Sequence, residues 1–154
     1  MSFKMNAIPA ATCREQILRM VELASTHYAR NLAGPDGAVC RAYMKQRGID
    51  KALTERFGLG YALPGWQNLA KALRRNGCDE ALAVKASLLG KSEQGRIYDR
   101  FLGRLVFPIR SLSNQIIAFG GRIIGDEYVP KYIKSADSLI YKKSDHLYAL
   151  PQAR

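Results

Sequence analysis

A chain of 154 residues, 47% hydrophobic and carrying a formal net charge of +11, holds enough apolar material for one domain or two small lobes. That composition excludes general disorder beyond the first dozen residues, and no apolar run reaches the ~20 residues that span a bilayer. A basic surplus of this size points to an anionic partner, nucleic acid or nucleotide above all.

Residues 1–11 read as a linker or tail, with no sustained apolar core of the kind a secretory signal carries. Thr12-Cys13-Arg14-Glu15 has the form of a capping box, and Ile17, Val21, Ala24 and Tyr28 follow at helical spacing, so a helix is expected from Thr12 to Gly34-Pro35. Asp36 is expected to cap a second helix with Val39, Tyr43 and Met44 inward, ending at Arg47-Gly48. Asp50 caps a third, closing at Phe57-Gly58 by a glycine exit. Leu59 to Leu63 reads as extended. Trp66 to Asn76 forms a helix with Leu69, Ala70 and Leu73 on one face, and Asp79 starts another that runs to Leu88-Leu89-Gly90. Lys91 to Gly95 is a polar connection.

The stretch from Tyr98 to Tyr132 changes character. Leu105, Phe107 and Ile109 share one face of a strand, with Arg104 and Arg110 opposite, and Pro108 marks that strand as an edge on one side. Ser111 to Asn114 makes a four-residue turn, and Gln115 to Phe119 alternates again. Residues 12–90 are thus a helical half and residues 97–150 a mostly antiparallel β half. The class is α+β, with the arginines Arg96, Arg100, Arg104 and Arg110 favouring a basic groove in the β half.

Few motifs in the chain carry chemistry. Gly120-Gly121 lacks a G-x-G-x-x-G or Walker context, and is read as a place where the strand bends or is approached closely. Arg122 follows that permissive backbone. Lys131-Tyr132-Ile133-Lys134 is a short alternating segment, read with its two cations on one face for phosphates and its tyrosine for a base. His27 lies mid-helix as a packing or surface residue, Asp126-Glu127 as a solvated turn, and Asp79-Glu80 at a helix start. Cys13, Cys40 and Cys78 form no Cys-x-x-Cys pair and have only His27 and His146 to join them, which argues against zinc and for reduced thiols. No carboxylate set for two-metal nucleotidyl transfer is visible, so the catalytic residues are expected elsewhere.

The ordered runs Tyr98-Asp99-Arg100-Phe101, Arg104-Leu105-Val106-Phe107-Pro108-Ile109, Ala118-Phe119-Gly120-Gly121-Arg122 and Pro130-Lys131-Tyr132 resemble the bacterial DnaG-type DNA primases. The likeness is to the amino-terminal, basic part of their RNA polymerase core. Tyr43 through Arg47-Gly48-Ile49, Arg56 through Tyr61, Pro64-Gly65-Trp66 and Leu147 through Leu150 keep the family's order, so the resemblance covers about residues 15–154. It implies a lobe that binds single-stranded template DNA and nucleoside triphosphates during synthesis of RNA primers for replication. Carried over by position, Arg47, Arg122, Lys131 and Tyr132 would line the site, with Lys134 beside them and Arg104 and Arg100 as second-tier phosphate contacts.

The resemblance also implies what would come from outside the chain. Mg²⁺ or Mn²⁺ would be held by acids of a TOPRIM lobe, zinc by an amino-terminal ribbon, and the replicative helicase by a carboxy-terminal domain. The expectation is a bacterial, or phage- or plasmid-encoded, cytoplasmic nucleotidyltransferase fragment that is inactive alone, binds no cofactor or membrane, and meets an RNA–DNA primer-template. The alternative is a non-catalytic single-stranded-DNA-binding module. One departure stands out: Lys134 occupies a position where the family usually has Asn, exchanging a donor-and-acceptor group for donors and charge.

Overall fold

The computed structural model of the chain describes residues 10–125 and 129–142. Expectations for the tail up to residue 9, for 126–127, and for 146–154 fall outside the described residues.

Helix α1 (Ala10–Ala33) is the spine. Ile17, Met20, Val21, Ala24, Tyr28 and Leu32 recur at helical spacing and are all buried, so one stripe of this helix carries much of the core. The helix already includes Ala10 and Ala11, so Thr12 is not its cap. At the other end Gly34 N–H donates to the Arg30 carbonyl (2.9 Å), and the Arg41 guanidinium donates to the Leu32 and Gly34 carbonyls, each at 2.6 Å. Those bonds satisfy carbonyls that a helix end leaves open.

A 3₁₀ turn (Pro35–Gly37) leads into α2 (Ala38–Gln46). Asp36 lies inside that turn and does not cap α2. The later start rotates the inward stripe to Cys40 and Met44, leaving Val39 58% exposed and Tyr43 half-buried. Helix α3 (Lys51–Phe57) follows its sequence signals: Asp50 Oδ1 accepts from Leu53 N–H (2.8 Å), and Gly58 exits in the left-handed region at φ 65°. Strand β1 (Gly60–Ala62) precedes α4 (Asn68–Arg75), which buries Leu69, Ala70, Ala72 and Leu73. Helix α5 (Glu80–Lys85) is capped by Asp79 Oδ1, which accepts from Leu82 N–H at 3.1 Å.

That last helix is shorter than its sequence suggests. Ser87 turns left-handed at φ 63°, Leu88 drops into the core, and Leu89–Lys91 forms β2, paired antiparallel with β3 (Ile97–Asp99). The Leu88-Leu89 pair looks helical because three-residue strands are too short to display a period of two.

Strands β4 (Arg104–Arg110), β5 (Ile116–Ile123) and β6 (Tyr132–Lys134) join β1 in one antiparallel sheet of order β1-β4-β5-β6. The fold is α+β, a helical amino-terminal part followed by small antiparallel sheets, with β1 reaching across to complete the larger one. Strand β4 is interior, but β1 pairs with it only from Arg104 to Val106. Pro108 lies past the end of β1, so the edge holds only locally. The turn forms as read, with Asn114 at φ 68° and Ser111 N–H donating to the Gln115 carbonyl at 2.8 Å. Residues 116–121 are all buried, so β5 is covered on both faces and its alternation is not one of burial.

Register assigns the faces. Gly60, Val106, Gly121 and Ile133 are successive cross-strand partners and face α1. A Cβ at Gly60 would stand 2.5 Å from Tyr28 Cβ and 2.6 Å from its backbone, so the helix rests directly on the strand. Tyr28, Phe101 and Phe119 fill the space beside it in edge-to-face contacts, with centroids 5.3–6.5 Å apart.

Candidate nucleic-acid interface

The opposite face of the same sheet carries a second row of partners: Tyr61, Leu105, Arg122 and Tyr132. Side chains directly opposite one another project from the same face, so this row runs from core to surface. Tyr61 and Leu105 are buried under Leu32, Cys40 and Met44, with Tyr43 and Ile49 packed against them. Arg122 is half-buried and Tyr132 is 60% exposed. Helix α2 covers one end of the row and leaves the other uncovered.

At that boundary, cations and rings alternate. The Arg47 guanidinium carbon lies 4.9 Å from the Tyr43 ring centroid; that of Arg122 lies 5.2 Å from Tyr43 and 5.5 Å from Tyr132. Arg122 also donates from Nη1 to the Ile123 carbonyl (2.7 Å). Of the residues expected from sequence, Arg47 and Arg122 therefore meet at Tyr43, and Tyr132 joins them through Arg122.

The next row is Phe107, Gly120 and Lys134. A methyl group at Gly120 would overlap the Phe107 ring, and one at Gly121 would stand 2.9 Å from Phe101 and 3.1 Å from Arg104 Cδ on the other face. The glycine pair is approached closely from both sides, as its sequence context suggests. Tyr132 and Lys134 share the open face while Ile133 packs inward. Lys131 and Lys134 are three residues apart, and an extended chain alternates every residue, so the two cations do not share a face of β6. The exposed Lys131 sits just before the strand, its carbonyl accepting from Ile123 N–H at 2.8 Å.

Arg104 and Arg100 sit differently. Arg104 is 5% exposed on the α1 side, and its Nη1 donates to the Gly121 and Lys131 carbonyls, both at 3.2 Å. Arg100 donates from Nη2 to the Lys134 carbonyl (2.5 Å), and its Nε is buried with no partner among the described residues. Both guanidinium groups hold the ends of β6 from beneath. They fix the backbone of Lys131 and Lys134, whose side chains carry the charge outward.

Two features that sequence reasoning passed over support this frame. Asp99, 3% exposed, accepts from Leu69 N–H at Oδ2 (2.7 Å) and from Ala70 N–H at Oδ1 (2.9 Å), bridging β3 to the first turn of α4. Burial pushes its carboxyl up to about 6, against the downward pull of those amides. Tyr43 enters the sequence reading as a packing residue and as the start of a family run, with no site role, although its i, i+4 spacing to Arg47 on one helix face was the available signal. His27 packs as its position suggests, half-buried with Nε2 2.7 Å from Asn68 Oδ1, and burial lowers its pKa. Trp66, quoted above only as a helix start and part of a motif, is 66% exposed, its ring 6.2 Å from that of Tyr98.

Among the described residues, no three His, Cys, Asp or Glu side chains stand together as a metal site. Cys40 is buried, with its thiol pushed up to about 12 by burial. No helix among the described residues is long and apolar enough to cross a membrane.

Comparison with known proteins agrees with this architecture. The profile of the family described as DNA primase catalytic core, N-terminal domain, matches residues 27–154. The DNA primase of Salmonella typhimurium is 36% identical over 141 residues, which cover 92% of this chain and 24% of that protein. The chain thus spans about a quarter of the length of that relative. A DnaG primase catalytic domain bound to single-stranded DNA superposes with a TM-score of 0.80 at 33% identity, covering 94% of this chain and 47% of the other. The RNA polymerase domain of Mycobacterium tuberculosis primase DnaG, in complex with a double-stranded DNA oligomer with a 6-nucleotide overhang, gives 0.78 at 33% identity, over 84% of this chain and 41% of that one. The profile match over most of the sequence, with relatives above 30% identity, shows that the chain belongs to the DNA primase catalytic core, N-terminal domain family.

Proposed function

We propose that this chain is the part of a primase that holds single-stranded template DNA and incoming nucleotides against the uncovered face of its larger sheet, during RNA primer synthesis. The observation that carries the reading is the alternation of Arg47, Tyr43, Arg122 and Tyr132 at that face, with Lys134 on the same face and the exposed Lys131 at the start of β6. Guanidinium and ammonium groups neutralise phosphates, and an exposed ring stacks on any base, so the combination takes a strand with little regard to sequence. Arg104 and Arg100 act from below, as supports for the strand that presents the two lysines.

Nucleotidyl transfer needs divalent metal to stabilise charge on the attacking and leaving oxygens. The described donors of this chain do not fit such an ion. In this reading, as the resemblance implies, the metal chemistry belongs to a separate acidic lobe, zinc to a separate ribbon and the helicase contact to a further domain, all in the bacterial cytoplasm. The residues here bind and orient.

Fluorescence anisotropy of a labelled oligothymidine, titrated with the chain across a range of salt, tests the reading. Binding is expected to be weak, tolerant of sequence, and to fall with salt at a log–log slope on the order of 2–3 if four cations meet phosphates. Affinity that does not change with salt would rule out a phosphate-tracking face.

A further inference from the structure

The phosphate and base contacts proposed above give Tyr43 no contact of its own, yet among the described residues it is the ring that meets both Arg47 and Arg122. We propose that Tyr43 is a positioning residue, whose ring holds those two guanidinium groups as a preformed pair that grips neighbouring phosphates of one bound strand. This rests on the reading of the open face as a single-stranded-DNA site.

The ring is itself held. Tyr43 packs on the cluster of Leu32, Cys40, Met44, Tyr61 and Leu105, so its position is set by the core. Arg47 reaches it from one turn further along, as the C-cap residue of α2, and Arg122 arrives from β5. With carbons 4.9 and 5.2 Å from one centroid, the guanidinium groups can stand no more than about 10 Å apart, the sum of the two distances. Like charges that close repel, and long side chains free in solvent would separate. The negative face of an aromatic ring attracts both and offsets that repulsion.

Neither arginine forms an ion pair with a carboxylate among the described residues. Among the described residues, no carboxylate therefore compensates the charge of the pair. Arg122 commits one N–H to the Ile123 carbonyl, and a guanidinium carries five, so donors remain for phosphate oxygens. A pair ordered before binding loses less side-chain freedom when the strand arrives.

Two measurements test this, using Tyr43→Leu, which keeps an apolar side chain, and Tyr43→Phe, which keeps the ring face. In the free chain, the side-chain protons of Arg47 and Arg122 should show upfield ring-current shifts by NMR, lost in Tyr43→Leu and retained in Tyr43→Phe. With the labelled oligothymidine, Tyr43→Leu should weaken binding about tenfold at low salt. It should also lower the salt slope by about 1.4, the share of two phosphate contacts on a single strand. Tyr43→Phe should restore both. Should Tyr43→Leu fail to fold, Tyr43→Met removes the ring while keeping a flexible apolar side chain.

Wild-type affinity and slope in the ring-less variant would overturn the positioning role, as would absence of the ring-current shifts in the wild type. Failure of a folded Tyr43→Phe to rescue would overturn it too, because the hydroxyl would then be the active part. If the wild type shows its ring-current shifts but no salt-dependent binding, the single-stranded-DNA reading fails and the grip fails with it.

Discussion

The two faces of the larger sheet are built from interleaved residues of the same strands, yet they have opposite fates. On the α1 face, Gly60, Val106, Gly121 and Ile133 meet a helix backbone, aromatic rings and a buried arginine with no room to spare. On the other, Tyr61 and Leu105 are covered by α2 and Arg122 touches its edge at Tyr43, whereas Tyr132 is 60% exposed and Lys134 lies one row further on. The lesson is about which residue types tolerate each place. A close-packed face tolerates almost no change of volume, whereas a face left open can vary in charge without cost to the fold.

Gly60→Ala should give the largest effect. The added methyl would meet backbone atoms of Tyr28 and Ala29 at 2.6 and 2.9 Å, and backbone cannot swing away as a side chain can. A loss of about 3 kcal/mol or more is expected in urea unfolding, at the upper end of overpacking costs. A loss below about 0.5 kcal/mol would mean that α1 does not rest on β1 as described.

Arg104 and Arg122 sharpen the contrast, because sequence reasoning ranked both as phosphate contacts while the sheet turns them to opposite faces. Arg104→Met keeps the apolar stem but leaves the Gly121 and Lys131 carbonyls without that donor, at a cost of about 1–3 kcal/mol. Arg122→Ala should cost about 1 kcal/mol of stability or less, the scale of its exposed ring contacts, while weakening oligonucleotide binding several-fold. Paired unfolding and anisotropy measurements on the two variants check this. The reverse pattern would exchange their roles.

Much of this was legible in the sequence. Asp50 and Asp79 announced helix starts and Gly58 an end, because caps and left-handed exits are local and depend on one or two residues. Thr12 misled because the same local pattern can fall inside a helix that has already begun. The extent of α5 was overread, and the faces of Lys131 and Lys134 were misjudged, where three-residue strands give no period to count. Of the candidate site, Arg122 stands out in the sequence by its glycine context. The function of Tyr43 could not, since a residue on a packing stripe looks the same whether its outer edge meets solvent or two arginines.

Asp99 offers a pH test of the closed side. Its carboxyl is raised from the usual 3.8 to about 6 by burial, so between those values the folded state holds a proton that the unfolded state has released. Stability contributed by this group is therefore present below about 4 and lost as pH rises through about 6. In urea unfolding, the stability of the wild type relative to Asp99→Asn should fall by on the order of 1–2 kcal/mol from pH 4 to pH 7. A rise over the same range would mean that the Leu69 and Ala70 amides outweigh desolvation and hold the carboxylate charged.

Lys134→Asn should be the mildest change and the most specific to the open face. The residue ends β6 opposite Gly120, with its backbone carbonyl held by Arg100, so the strand does not depend on the side chain for its position. Asparagine removes one cation and supplies an acceptor. Stability should stay within about 0.5 kcal/mol, and the salt slope for oligothymidine should fall by about 0.7, the share of one phosphate on a single strand. An unchanged slope would mean that Lys134 meets no phosphate. A fall twice as large would mean that Lys134 also orders a neighbouring cation, in which case Lys131 and Lys134 act together despite pointing apart, and the two ends of β6 form one contact.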